Sequence, residues 1–267
     1  LKSAENCAII NLMQALNDRK VVFVLYNSNR PEQCVAPLKM LFIGNSATYV
    51  NDIPGTLHRL AAQAGFEVDC DSAVKGGATL AMHADIDSEF GKNTADVIEK
   101  GYDVVFLQDN GNCIRSDELR AACLEACNTL GKAIGKTGAR ASIYVRPPYG
   151  TEKWGYDPIA QCVEFDKLFG EASQEFDLKN AYANRAFAYS IKHTDLELWG
   201  EDHAHTSKIG AYLAVCVFFC TIFNVSAKVL DSDGLSDEVA KTLQDIADKV
   251  SLDGEDLWEN FCIDAQI

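Results

Sequence analysis

Short apolar runs rich in β-branched residues alternate along the chain with longer segments whose apolar positions recur at helical spacing. The short runs predict strands over Val21–Leu25, Met40–Ile43, Glu67–Cys70, Val104–Leu107 and Ala141–Val145. The longer segments predict helices over Ile53–Ala64, Ser116–Ile134, Pro158–Phe176, Ser207–Phe223 and Ser236–Val250. Because strands and helices that alternate in this way form βαβ units, we expect a parallel sheet covered on both faces. The pattern therefore predicts the α/β class, as a three-layer α/β/α sandwich with a central, mostly parallel sheet.

The first 37 residues stand apart from this alternation. A helix-like stretch over residues 4–17 leads to the apolar run Val21–Leu25, and a polar turn with Pro31 and Pro37 follows. We predict a helix-strand extension over residues 1–37 and a main domain over residues 38–267. The extension is either an extra unit at the edge of the sheet or the end of a segment that lies upstream, and the sequence leaves both open.

Composition and charge narrow the classes of partner. Hydrophobic residues make up 48% of the 267 residues, as in a globular protein. The formal net charge is −15 and no run of lysine or arginine is present, which argues against nucleic acid and anionic membranes as partners. The longest apolar stretch, Tyr212–Phe223, is too short to span a bilayer and predicts a buried helix.

Ten cysteines raise the question of disulfide bonds. Cys123 and Cys127 lie four residues apart on a predicted helix, as do Cys216 and Cys220, and this placement is typical of small buried hydrophobic residues. We therefore expect reduced thiols and a cytoplasmic location. Secretion stays open, because the chain begins with Leu1 and a signal peptide could have been removed upstream.

Two short motifs carry the candidate chemistry. Gly44-Asn45-Ser46-Ala47 places a serine directly after a predicted buried strand, and Asp202-His203-Ala204-His205 lies just ahead of a predicted helix. A carboxylate three residues before a histidine can orient its ring, so that the histidine activates the serine as a nucleophile. The competing interpretations are that Ser46 is only an N-cap or turn residue, and that His203 and His205 form a metal pair or are ordinary surface residues.

The chain resembles the SGNH or GDSL hydrolase superfamily over roughly residues 38–225. The first of its four signature blocks, normally Gly-Asp-Ser, is matched by Gly44-Asn45-Ser46, and the fourth, Asp-x-x-His, by Asp202 and His205. The second is matched by the glycine turn Lys75-Gly76-Gly77-Ala78-Thr79, and the third by Gln108-Asp109-Asn110-Gly111.

This resemblance implies an SGNH-like, flavodoxin-like fold and a triad of Ser46, His205 and Asp202. It also implies an oxyanion hole formed by the N–H groups of Ser46 and Gly77 and the side chain of Asn110, with no metal and no organic cofactor. The chain departs from the family pattern in carrying Asn45 in place of aspartate, Gln108 in place of glycine, and no aspartate after Asn110. These departures leave the geometry of the oxyanion hole open.

One loop suggests the substrate. Residues 146–156 follow the end of a predicted strand and mix aromatic with polar side chains, a combination that suits stacking on a sugar ring. From it we predict Arg146, Tyr149 and Trp154 as substrate-binding residues, although the aromatic rings could instead pack the loop onto the domain. The sequence predicts a serine esterase that hydrolyses small acyl esters, with O-acetylated carbohydrate as the expected substrate. The alternatives are a non-catalytic carbohydrate-binding protein on the same fold, and a thioesterase or lysophospholipase.

Overall fold

The computed structural model describes residues 36–150, 155–174, 176, 179–252 and 256–264. The chain divides into two units, Leu1–Val35 and Ala36–Ile267, and every described residue belongs to the second. The helix and strand predicted within residues 1–37 therefore lie outside the described residues, and so does Trp154.

A parallel sheet of five strands forms the centre of the second unit. Its strands are β1 (Leu38–Gly44), β2 (Val68–Val74), β3 (Val104–Leu107), β4 (Arg140–Val145) and β5 (Ala181–Tyr182). They lie in the order β2-β1-β3-β4-β5, and every neighbouring pair is parallel. The chain passes from β1 to β2 on one side of β1, and then to β3 on its other side. The strand order therefore reverses between β1 and β3, and their carboxyl ends border the crevice where ligands of open α/β sheets bind.

Helices cover both faces of the sheet, which confirms the predicted three-layer architecture. Met40 and Phe42 of β1 point into one apolar cluster, and Leu41 and Ile43 point into the other. This alternation has the period of two that a strand imposes, and both sets are apolar because both faces are buried. The helices are α1 (Ser46–Tyr49), α2 (Ile53–Gln63), α3 (Leu80–Ala84), α4 (Glu89–Ile98), α5 (Asp117–Lys136), α6 (Pro158–Ala172), α7 (Ala183–His193), α8 (Lys208–Phe223), α9 (Asp237–Leu252) and α10 (Asp256–Asp264). The first cluster includes residues of α2, α7, α8 and α9, and the second includes residues of α3, α4, α5 and α6.

Helix α8 fixes the segment that precedes it against the sheet. It is apolar around most of its circumference, and the Phe218 ring meets those of Phe42 and Phe106 with centroids 5.2 and 4.9 Å apart. At its start, a Cβ on Gly210 would lie 2.2 Å from the Leu198 carbonyl oxygen, so only glycine permits this close approach. Within the described residues, no helix combines the length and the apolar character needed to cross a bilayer.

Several elements differ from the sequence-based prediction. Strand β2 extends to Val74 rather than ending at Cys70, and α6 ends at Ala172 rather than Phe176. Helix α6 stops because Ser173 leaves helical geometry and its hydroxyl donates to the Phe169 carbonyl at 2.7 Å. The short strand β5 and the helices α1, α3, α4, α7 and α10 were not predicted.

Candidate active site

Ser46 lies at the point where β1 turns into helix α1. Asn45 is the N-cap of α1, with extended backbone angles, and its Oδ1 accepts a hydrogen bond from the Ala47 N–H at 3.0 Å. The cap leaves Ser46 as the first helical residue, half-buried beyond the buried carboxyl end of β1. This is the strand-to-helix position from which a serine can present its hydroxyl above a parallel sheet.

The segment before α8 brings a histidine to that hydroxyl. The Nε2 atom of His205 lies 2.7 Å from Ser46 Oγ, and its Nδ1 atom lies 2.5 Å from Asp202 Oδ2. Because an ionised carboxylate only accepts hydrogen bonds, Nδ1 carries the ring proton and Nε2 accepts from the Ser46 hydroxyl. The structure therefore joins the serine, histidine and aspartate that the sequence singled out into one hydrogen-bonded chain.

The Asp202 carboxylate is held in its ionised form. Burial opposes ionisation, but hydrogen bonds from the backbone and ring of His205 and from the Ala204 N–H outweigh it, so the pKa of Asp202 lies well below its ordinary value. Its Oδ1 accepts both backbone N–H groups at 3.0 Å, which leaves Oδ2 for the imidazole. The carboxylate thus builds the turn and orients the ring at the same time.

His203 occupies a different place from His205. Its backbone has a positive φ of 51°, and its carbonyl accepts from the Gly150 N–H at 2.8 Å. Within the part of the chain that the structure describes, no group of three or more histidine, cysteine or acidic side chains is arranged to hold a metal ion. Of the two histidines, it is His205 that contacts Ser46.

Two of the three predicted oxyanion residues, Gly77 and Asn110, lie beside one another. The Asn110 Nδ2 atom donates to the Gly77 carbonyl at 3.3 Å, while Asn110 Oδ1 accepts from the Asn112 N–H at 2.9 Å and caps the 3₁₀ helix Gly111–Ile114. Gly77 has a φ of 71°, which glycine adopts without strain. Among the described residues, neither the Ser46 N–H nor the Gly77 N–H donates to a protein acceptor. Two of the predicted donors thus remain open to a ligand.

Gln108 is a residue that sequence reasoning did not place. It is buried, and its Oε1 accepts from the Asn45 N–H at 3.1 Å and from the Thr48 hydroxyl at 2.9 Å. Its Nε2 donates to the Asp109 carbonyl. The amide therefore braces the turn that carries Ser46 and is turned away from a role as oxyanion donor. Its signals in the sequence were its position directly after β3, one strand from Ser46, and its place in the third signature block, where it replaces a glycine.

His83 and Asp109 are buried ionisable groups next to this turn. The Nε2–H of His83 donates to the carbonyl of Gly44 at 2.9 Å, and burial lowers its pKa. Burial also raises the pKa of Asp109, against hydrogen bonds from the Cys123 thiol and the Asn110 N–H. Neither residue was predicted, because burial of a single polar side chain leaves no periodic pattern in the sequence.

The predicted substrate-binding residues have different environments. Arg146 is 4% exposed and its guanidinium donates from Nε to the Pro147 carbonyl and from Nη2 to the Ala204 carbonyl, at 2.8 and 3.2 Å. It also stacks over the Tyr149 ring at 4.1 Å. Tyr149 in turn lines a shallow surface cleft, whose other lining residues are Gly111, Ile114, Arg115, Tyr156 and Gln161. The prediction for Trp154 concerns a residue outside the described part of the chain.

Comparison with known proteins shows the fold. Neither a protein-family model nor a curated protein sequence matches the chain. Among solved structures, a candidate SGNH hydrolase from Slackia heliotrinireducens matches with a TM-score of 0.59 at 24% identity, covering 70% of this chain and all of the other. A DUF4886 family protein from Bacteroides uniformis matches with a TM-score of 0.68 at 15% identity, covering 80% of this chain and 95% of that one. The lipase/acylhydrolase from Enterococcus faecalis matches with a TM-score of 0.52 at 19% identity, covering 70% and 96%.

The chain therefore has an SGNH/GDSL-like fold, as the four sequence blocks had indicated. At these identities the likeness establishes the architecture alone, and the chemistry is argued from this chain's own residues.

Proposed function

We propose that this protein is a serine esterase in which Ser46 is the nucleophile, His205 the general base and Asp202 the residue that orients the base. The observation that carries the proposal is the continuous chain of hydrogen bonds from Ser46 Oγ through the His205 ring to Asp202, at 2.7 and 2.5 Å. A serine placed against a correctly oriented imidazole is the arrangement that activates a hydroxyl for acyl transfer.

The first chemical step is attack on the ester carbonyl. As Ser46 Oγ bonds to the carbonyl carbon, its proton passes to His205 Nε2, and the resulting imidazolium is stabilised by the ionised Asp202. His205 then returns this proton to the leaving alcohol, which departs and leaves an acyl group on Ser46. Water, deprotonated by the same Nε2, hydrolyses the acyl-enzyme and restores the serine.

The mechanism also requires that the negative charge on the oxygen of the tetrahedral intermediate be stabilised. The N–H groups of Ser46 and Gly77, together with the amide of Asn110, are the proposed donors to that oxygen. Each such donor lowers the barrier by about 3 kcal/mol when it is fixed in place beforehand. The cap that Asn110 Oδ1 makes with the Asn112 N–H supports this role, because it fixes the orientation of the amide.

For the substrate we propose small acyl esters, with an O-acetylated carbohydrate as the physiological class. The surface cleft beside Asn110 begins at Gly111 and is lined by Tyr149 and Tyr156, with Gln161 as a polar neighbour. Aromatic rings flanked by hydrogen-bonding groups suit a sugar residue. The net charge of −15 disfavours approach to an anionic lipid surface.

The proposal is tested with a series of p-nitrophenyl esters of increasing chain length, from acetyl to octanoyl, and with an O-acetylated oligosaccharide. We expect kcat/KM to fall steeply with acyl length and acetate to be released from the oligosaccharide. Tyr156→Ala is expected to impair the oligosaccharide more than p-nitrophenyl acetate, while Tyr156→Phe keeps the ring and serves as the matched control.

Two results would overturn this proposal. A preference for octanoyl esters favours a thioesterase or lysophospholipase. Binding of the oligosaccharide by a protein that hydrolyses none of the esters favours a non-catalytic carbohydrate-binding protein.

A further inference from the structure

The backbone carbonyls around His205 accept hydrogen bonds from several other parts of the chain. The carbonyl of His203 accepts from the Gly150 N–H at 2.8 Å, and that of His205 accepts from the Gly200 N–H at 2.9 Å. Two side chains take the carbonyls on either side of His205: Arg146 Nη2 lies 3.2 Å from the Ala204 oxygen, and Asn51 Nδ2 lies 2.6 Å from the Thr206 oxygen. Four consecutive carbonyls are thus engaged, and the last of them is tied to the segment that begins with Ser46.

The Asn51 contact runs alongside the contact between the proposed nucleophile and base. Ser46 and Asn51 are five residues apart on one segment, and His205 and Thr206 are adjacent on the segment that faces it. Two hydrogen bonds join these segments, one from Ser46 Oγ to His205 Nε2 at 2.7 Å and one from Asn51 Nδ2 to the Thr206 carbonyl oxygen at 2.6 Å. The second bond fixes the separation of the two backbones at the place where the first must form.

We infer that Asn51 is a positioning residue, which holds His205 at hydrogen-bonding distance from Ser46 through the Thr206 carbonyl. The inference rests on the proposed function for its consequence in catalysis. If the base moves away from its nucleophile, kcat falls while substrate binding is unchanged. It adds a residue from outside the four signature blocks to the machinery of the site.

The local backbone explains why an asparagine stands here. Asn51 and Asp52 both have positive φ, 61° and 47°, a conformation that asparagine and aspartate tolerate better than other non-glycine residues. The turn is anchored on both sides, since the Asp52 N–H donates to the Tyr49 carbonyl at 2.9 Å and the Asp52 side chain caps α2 through the Gly55 N–H at 3.2 Å. The Asn51 amide is therefore presented from a fixed turn and does not lie on a free loop.

Two substitutions separate the amide from the backbone conformation. Asn51→Gly keeps the left-handed turn and removes the amide, and Asn51→Asp keeps the shape but sets a carboxylate against the Thr206 carbonyl. Asn224→Gly is the matched control, because Asn224 also has a positive φ, of 51°, and ends α8 at the opposite end from the site. Asn51→Ala is unsuitable, since alanine would strain the turn as well.

We expect Asn51→Gly to lower kcat about 10-fold to 100-fold with KM changed less than about twofold, and Asn51→Asp to lower kcat further. Asn224→Gly should leave both constants at the wild-type value. Equal kcat in wild type and Asn51→Gly would overturn the inference while leaving the proposed function intact.

A measurement without substrate decides the inference independently of esterase activity. The ¹⁵N chemical shift of His205 Nε2 reports the hydrogen bond from Ser46, and Ser46→Ala supplies the value without that bond. We expect the shift in Asn51→Gly to move toward the Ser46→Ala value and the shift in Asn224→Gly to stay at the wild-type value. A wild-type shift in Asn51→Gly contradicts the inference, even if the protein hydrolyses no ester.

Discussion

The side-chain amide of Asn45 donates a hydrogen bond to the Ala78 carbonyl across 2.8 Å. Its Oδ1 accepts from the Ala47 N–H at the same time, so one buried side chain joins the turn that carries Ser46 to the glycine turn that carries Gly77. An aspartate, which the resembled family has at this position, offers no donor to that carbonyl when it is ionised. Asparagine, and not the aspartate of the family, therefore suits this position, because its amide donates to the Ala78 carbonyl.

Asn45→Asp, the family residue, is therefore expected to be harmful in this chain. The introduced carboxylate would be buried against a carbonyl oxygen, and leaving a buried polar pair mismatched costs about 1–3 kcal/mol. Urea unfolding should show a lower midpoint with an unchanged slope, and a stability no higher than that of Asn45→Ala, which removes both contacts without adding charge. Wild-type stability in Asn45→Asp would show that the Ala78 contact contributes nothing.

The second prediction concerns the orientation of the base. In Asp202→Asn the amide oxygen can keep the Ala204 and His205 backbone N–H groups, so the amide NH2 faces Nδ1 of His205 and donates to it. The ring then loses the tautomer that the Ser46 hydroxyl requires. We expect kcat for p-nitrophenyl acetate to fall by about 10³-fold to 10⁴-fold, with the protein still folded by circular dichroism. His203→Ala should have a much milder effect, and the opposite ranking of Asp202→Asn and His203→Ala would mean that His203 is the base.

The third prediction concerns the oxyanion donor Asn110. Asn110→Asp and Asn110→Ser both keep an oxygen that can cap the 3₁₀ helix Gly111–Ile114, and both remove the amide donor. We expect each to lower kcat by about 10²-fold or more with little change in KM, because the contact strengthens only in the transition state. A kcat within about threefold of wild type in Asn110→Asp, whose ionised side chain only accepts hydrogen bonds, would exclude Asn110 as a donor.

The fourth prediction concerns pH and His83. Burial lowers the pKa of His83 in the folded protein below its ordinary value of 6.5. As pH falls below 6.5, the unfolded chain binds a proton that the folded protein does not, so stability is lost until the pH reaches the folded pKa. The slope from one such group is at most about 1.4 kcal/mol per pH unit.

His83→Gln keeps a donor for the Gly44 carbonyl but does not titrate. Urea unfolding at a series of pH values below 6.5 should therefore show a shallower loss of stability in this variant than in the wild-type protein. The other histidines are the same in both proteins, so the difference isolates His83. Parallel pH profiles for the two proteins would contradict the account.

The elements predicted correctly from the sequence are those with a clear apolar pattern, whether a short apolar run or a helical repeat. Strand β3 is apolar throughout, β1 and β4 end in apolar runs, and α8 is apolar around most of its surface, so burial on both sides is visible in the sequence alone. Strand β5 has only two residues, too few for any period. Helix α4 includes Gly91, Asn93 and Thr94, which have low helix propensity and mask the helical pattern.

The candidate site divides in a similar way. Ser46, Asp202 and His205 stand in short motifs whose order along the chain carries information, so they could be named before the structure. Gln108 and Asn51 act through contacts with residues 63 and 155 positions away, and no local pattern records such a partner. The role of Arg146 was also invisible, because its bond to the Ala204 carbonyl depends on how α8 packs on the sheet.

The most direct test of the account is covalent labelling of Ser46. Wild-type protein treated with a fluorophosphonate should gain the mass of one phosphonyl group, and peptide mapping should place that group on Ser46, because the adjacent His205 activates this hydroxyl. Ser46→Ala should gain no mass and should hydrolyse no p-nitrophenyl acetate. Labelling of another residue in the wild-type protein, or full esterase activity in Ser46→Ala, would contradict the account.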